Sequence, residues 1–254
     1  IQQLGLKGAD INRKHAGFAT VLKLHSKGDK AGQWLTDLDV SYRYDYIRDR
    51  SDSLVNRKDI VDFSEIAALV NFGNNDWSNS IFKISTIASK RAPGLTTAYW
   101  VTTGNNIKFP SLQQQISQIT FLNPNQQLLK PERMKSLEIG INILTEPKTM
   151  ENIDQMELQA SIFRNDYINK MRATFLLGMP IAYFENITLA TMSGFEAKAK
   201  AKTYGGRFIG EVGLSNYNIS DMSAFPFKSA FKLTINTTSK WDWITIGARW
   251  FQEG

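Results

Sequence analysis

There is no cysteine among the 254 residues. That excludes disulfides, thiolate metal sites and a cysteine nucleophile. Histidine is nearly as scarce. His15 and His25 are the only two, and no glutamate pattern accompanies them, so the ligand spacing of a zinc site is missing and no metal is expected. Also missing are a G-x-G-x-x-G turn, a P-loop and a G-x-S-x-G nucleophile elbow. Carboxylates are present but spread along the chain, which gives no catalytic cluster, so neither enzymatic chemistry nor a cofactor is expected. No apolar run approaches the roughly 18 residues of a membrane-crossing helix, although hydrophobic residues make up 42% of the chain. A membrane-crossing strand needs only about 9–11 alternating residues, so this absence leaves a barrel open. The start, Ile1-Gln2-Gln3-Leu4, lacks an initiator Met and the basic and apolar regions of a signal peptide, as expected of a piece of something longer.

The net charge is +6 and the pI about 9.4. Lys and Arg are dispersed along the chain, so no nucleic-acid partner is expected. The densest run is Lys198, Lys200 and Lys202, interleaved with Ala197, Ala199 and Ala201. At a strand period of two, the three ammonium groups share one face. That face fits a water-filled lumen or the solvated side of a soluble sheet.

Alternation dominates the rest. In 137–143, Leu137, Ile139, Ile141 and Ile143 point one way, and Glu138, Gly140 and Asn142 the other. In 155–165, Met156, Leu158, Ala160 and Ile162 alternate with Glu157, Gln159 and Ser161. In 34–47, Leu38, Val40, Tyr42 and Tyr44 oppose Asp37, Asp39, Arg43 and Asp45. The acidic residues of this last segment are expected to pair with basic residues on neighbouring strands. Ten segments read as strands: 17–25, 34–47, 65–72, 77–89, 132–143, 155–165, 192–202, 208–217, 231–237 and 243–251. Gly73-Asn74-Asn75-Asp76 reads as a hairpin turn. Residues 90–130 read as a long connection with a short helix at 111–119 capped by Ser111. In that connection Tyr99, Trp100, Asn105 and Asn106 combine aromatic and amide groups suited to holding a ligand.

Loops alternate short and long, as outer-membrane barrels do with short periplasmic turns and long extracellular loops. Trp34, Trp77, Tyr204, Trp241 and Trp243 are placed by this reading at the short-turn end. Tyr42, Tyr44, Tyr46, Phe163, Tyr167 and Tyr217 are placed at the other, as two aromatic girdles.

The stretch NPNQQLLKPERMKSLEIG resembles a signature of TonB-dependent outer-membrane receptors. The matching residues are Asn123, Pro124, Leu129, Pro131, Glu132, Glu138 and Gly140, with Gln126-Gln127-Leu128 as a small insertion. Asn186, Gly194 and Glu196 resemble a second family motif, and Phe109-Pro110-Ser111-Leu112 a third from which the usual arginine and glutamate are absent. The resemblance implies an all-β, antiparallel, up-and-down transmembrane β-barrel. Residues 1–254 would form part of a larger barrel, about ten strands of it, without the plug domain or the TonB-contacting segment. It implies energised uptake of a siderophore, cobalamin or glycan-type nutrient through the bacterial outer membrane. Its partners would be outer-membrane lipid, TonB, a plug and the nutrient. Two alternatives stay open: a complete small outer-membrane barrel acting as pore or enzyme, and a soluble carbohydrate-binding β-sandwich. Expressed without detergent, the chain is expected to aggregate. A monodisperse product that unfolds cooperatively in plain buffer would sink the membrane reading.

Overall fold

The computed structural model describes residues 11–27, 32–51, 75–112, 114–115, 129–147, 152–175, 182–226 and 228–254. They form one antiparallel sheet of ten strands in sequence order: β1 (Ile11–His25), β2 (Trp34–Ser51), β3 (Asn75–Ala92), β4 (Leu95–Lys108), β5 (Glu132–Thr145), β6 (Ile153–Phe175), β7 (Ala182–Thr203), β8 (Phe208–Ile219), β9 (Phe231–Trp241) and β10 (Ile244–Glu253). Each strand pairs with the next, a pure up-and-down meander. Among the described residues β1 and β10 do not pair, so the sheet is open at both edges.

The registers sort the side chains into two faces. Leu22 lies opposite Val40, Val40 opposite Ile84, Val101 opposite Ile139, and Ile139 opposite Ile162. This face is apolar on every strand and bare of protein: Ile162 is 61% exposed and Leu158 50%. The other face carries Lys23 opposite Asp39, Glu157 opposite Lys200, and Lys198 opposite Gly213. Val21, Ile87 and Phe251 are exposed exceptions on this polar face, two of them on the edge strands. The sandwich alternative needed protein over the apolar side chains. No second sheet covers them among the described residues.

Four sequence expectations change. Residues 90–130 are not one connection, because β4 occupies 95–108 and joins β3 through the two-residue turn Pro93-Gly94, with Gly94 at φ +71. Pro–Gly supplies the fixed and the positive φ that such a turn needs. The segment 65–72 lies outside the described residues, on either side of which β2 pairs directly with β3. Asn75 and Asp76 begin β3 instead of closing a hairpin. Trp77 therefore lies at the long-loop end, opposite Ile47. Finally, most of 166–183 is strand: β6 runs on to Phe175 and β7 starts at Ala182. The connections at one end are 26–33, 93–94, 146–152, 204–207 and 242–243, and those at the other are 52–74, 109–131, 176–181 and 220–230, so the short–long alternation holds except at 176–181, which is shorter than 26–33 and 146–152.

Candidate functional site

The long-loop end of the polar face is where the chain folds back on itself. The first anchor lies over β1, β2 and β3. Asp49 is fully buried and accepts two hydrogen bonds from Arg13, Nε to Oδ1 and Nη2 to Oδ2, both at 2.8 Å. Gln115 Nε2 donates to the same carboxylate at 3.0 Å. Arg13 Nη2 also donates to the carbonyl of Pro110 at 2.7 Å, and Asn75 Nδ2 to Gln115 Oε1 at 3.1 Å. Phe109 stacks on Trp77 at 6.1 Å. A buried carboxylate held by a forked guanidinium is among the strongest polar contacts available. Here it binds the start of the long 109–131 connection to the wall.

That start is helical as expected. Gln114 N–H donates to Ser111 Oγ (3.1 Å) and Ser111 N–H to Gln114 Oε1 (2.9 Å), a reciprocal capping box. The described residues carry the helix through Gln115; 116–119 lie outside them.

The second anchor holds the end of the same connection. Leu129 and Glu132 are buried. Glu132 accepts from Lys170 Nζ and from the backbone N–H of Met171, each at 3.0 Å. Asn186 donates to the carbonyls of Lys130 (3.1 Å) and Asn169 (2.8 Å), and accepts from Lys130 N–H (2.7 Å). Asn169 has φ 55 and drops out of the β6–β7 pairing, which resumes in the same register at Lys170 opposite Ile187, so its carbonyl takes a donor from outside the ladder. Glu132 and Asn186, both motif residues, supply the missing partners of that irregularity.

The third anchor is the 3₁₀ turn Met222–Ala224. Asp221 accepts from Ser223 Oγ (2.6 Å) and Ser223 N–H (2.9 Å), and these bonds hold its carboxyl below the usual range. Arg172 donates to Ser223 and, at 2.7 Å, to Glu185. Phe225 meets Tyr167 edge-on at 5.3 Å, over Ala190 and Met192, and Lys170 lies above both rings.

Two other motif pairs share one device inside the sheet. Trp100 lies opposite Gly140 and donates from Nε1 to Glu138 Oε1 at 3.2 Å. Tyr217 lies opposite Gly194 and donates to Glu196 Oε1 at 2.6 Å. In each case a ring from the neighbouring strand covers the glycine and its polar hydrogen reaches the glutamate two residues away. A Cβ on Gly140 would sit 2.0 Å from the Trp100 ring, so only glycine fits.

The ligand-holding expectation for Tyr99, Trp100, Asn105 and Asn106 rested on a loop, and all four lie on β4. Tyr99 faces outward beside Trp34 at 6.0 Å. Asn105 bonds the backbone of Phe82 (2.6 Å) and Ser80 (3.0 Å), continuing the β3–β4 connection past the last backbone pair. Asn106 accepts from Ile107 N–H at 2.8 Å. Asn123 and Pro124 lie outside the described residues. The acidic row pairs across to β1 as expected, Asp37 with His25 (3.0 Å), Asp39 with Lys23 (4.0 Å) and Asp45 with His15 (2.9 Å), while Asp45 also takes Arg43 of its own strand (2.7 Å). Sequence reasoning missed Arg13, Asp49 and Gln115: the first two lie directly opposite each other in the β1–β2 register, and Gln115 reaches them from the far side of β4.

Residues 16–254 match the family model described as TonB dependent receptor-like, beta-barrel. The chain belongs to the TonB-dependent receptor family, as a part of its β-barrel. Among solved structures it is similar to the copper transporter OprC (TM-score 0.58, 12% identity), covering 94% of this chain and 35% of that one. Weaker likenesses are the siderophore receptor PirA from Pseudomonas aeruginosa (0.46, 14% identity, 96% and 48%) and the pyoverdine outer membrane receptor FpvA from Pseudomonas aeruginosa PAO1 bound to pyoverdine (0.41, 12%, 95% and 42%). At these identities the likeness is one of fold. The chain spans about a third to a half of the length of these structures. No curated protein sequence matches it closely enough to count as a relative.

In the complete receptor, Gly140→Ala should displace Trp100 and cost about 1–3 kcal/mol. Adding Trp100→Leu should remove most of that penalty, because the two act through one contact. Urea unfolding of the wild type, the two single variants and the double variant checks this, and strictly additive losses would refute the shared contact.

Proposed function

We propose that this chain is a stretch of the outer wall of a receptor that takes up a scarce nutrient across the bacterial outer membrane. The observation that carries the reading is the division of one sheet into a bare apolar face and a polar, ion-paired face. Such a wall suits lipid on one side and a polar lumen on the other. On this reading the long loops face the medium and the short turns the periplasm. The three anchors draw the bases of the long loops over the lumen, where a ligand would be met. Below them the polar face has two shallow depressions of about 360 and 240 Å³, lined by groups such as Glu138, Ser161, Glu196, Lys198 and Glu211. Such a surface would pack against a plug through salt bridges and hydrogen bonds. TonB, acting from the periplasm, would drive the plug aside. The ligand classes proposed are a ferric siderophore, cobalamin or a glycan. OprC, by its name, transports copper, which adds a metal ion to the candidates.

Uptake tests this directly. Cells carrying the complete receptor, with and without TonB, are offered labelled ferric siderophores, cobalamin, oligosaccharides and copper. Uptake of one class that stops without TonB is expected, and uptake that persists without TonB would overturn the reading. The orientation has its own check. A membrane-impermeant maleimide should label Lys130→Cys in intact cells and leave Glu146→Cys unlabelled.

A further inference from the structure

The lysine row near the end of β7 lies on the polar face, in its short-turn half. Lys198, Lys200 and Lys202 descend toward the 204–207 turn, about 7 Å apart along the strand. Lys202 stands opposite Ile209, and Ile209 opposite Thr238. Lys240, two residues beyond Thr238 on β9, therefore continues the row one step nearer the short-turn mouth. The row begins at the larger depression, which Lys198 and Arg249 help to line.

The carboxylates nearby are already engaged. Glu157 and Glu211 stand on either side of Lys200 in the register. Glu211 takes Lys198 (2.8 Å) and accepts from Asn236 (3.2 Å). Glu157 accepts from Asn142 (2.9 Å), and Asp154, nearer the mouth, from the N–H of Gly206 (2.9 Å). Among the described residues Lys200, Lys202, Lys240 and Arg249 have no ion-pair partner. Five cations (Lys198, Lys200, Lys202, Lys240, Arg249) thus share this half of the wall with three carboxylates (Glu157, Glu211, Asp154). Arg207 and Asp242 in the turns below cancel. The β1–β2 side of the same face differs, because its four aspartates meet Arg13, His15, Lys23, His25 and Arg43.

The type of cation matters as well. Where this wall holds a group permanently, it uses a buried carboxylate with a forked guanidinium, as at Asp49. The row is made of ammonium groups on long flexible stems, which attract as point charges and fix no geometry. Repeated weak sites along a path let an ion enter, move on and leave.

We propose that the row is the lower part of an anion path, and that the cargo of this receptor carries net negative charge as it passes Lys198, Lys200, Lys202 and Lys240. Among the candidate classes this selects an anionic ferric chelate or an acidic glycan over a neutral oligosaccharide or a bare copper cation. The inference rests on the membrane-wall reading above.

Local potential tests it without a cargo. The complete receptor in detergent, with Ile209→Cys as its only cysteine, is treated with a sulfonate-bearing and with a trimethylammonium-bearing methanethiosulfonate. At low salt the anionic reagent should react about ten-fold faster, and at 1 M salt the two rates should converge. Lys200→Gln with Lys202→Gln should bring the low-salt ratio close to one, Lys200→Arg with Lys202→Arg should keep it, and Lys90→Gln on the outward face should leave it unchanged. Heat-modifiable migration on a gel reports folding, and if the double glutamine variant does not fold, Lys202→Gln alone carries the test. Equal rates in the wild type at low salt would overturn the proposal, since an acidic group of the plug would then occupy the row. In the uptake assay the class taken up should be anionic, and the double glutamine variant should slow its uptake about ten-fold. Uptake of a neutral or cationic class, or an unchanged rate in that variant, would also overturn it. The reagent ratio needs neither TonB nor a cargo, so a failed uptake experiment strikes the transport reading, while equal reagent rates strike this one.

Discussion

Everything in this structure depends on where the backbone hydrogen bonds go. In hydrocarbon an unpaired N–H or C=O costs several kcal/mol, so a membrane-crossing strand must be paired on both sides. Here β2 to β9 each have two neighbours, and the ladder runs without a crossover. The two open edges at β1 and β10 are the places where this requirement is unmet, and they demand further strands on each side. A part of a larger barrel satisfies that demand.

Pairing in turn fixes the faces. Once the register is set, a shift of one residue would move every apolar side chain from lipid to the polar side. The family motifs act where that regular pairing is hardest to keep. Gly140 and Gly194 would be weak points in any strand, since they offer no side chain to pack. Trp100 and Tyr217 fill the space, and Glu138 and Glu196 fix the rings by their polar hydrogens. Glu132 and Asn186 sit where the β6–β7 pairing skips Asn169, and bind the backbone groups there. On this account the motif residues are wall joints.

Much of this was legible in the sequence. Strands β2, β5 and β6 announce themselves by strict alternation, and the acidic row of β2 found the expected partners across β1. The reading lost β4 because Gly104-Asn105-Asn106 looks like a turn. Yet Gly104 is needed where the Phe82 carbonyl would lie 2.5 Å from a Cβ, and Asn105 serves as a side-chain rung between strands. Pro93-Gly94 was the available signal for the hairpin. The far ends of β6 and β7 were lost because the irregularity at Asn169 breaks the period on which the reading relied. The Arg13–Asp49–Gln115 anchor joins residues far apart in sequence, and no local pattern encodes it.

The central claim is that one face of this sheet meets lipid and the other does not. A fluorophore attached to single cysteines at Ile139, Ile162, Glu157 and Gln159 of the complete receptor, reconstituted with brominated lipid, tests it most directly. Strong quenching at Ile139 and Ile162 with little at Glu157 and Gln159 is the predicted result. Equal quenching at all four positions would contradict the account.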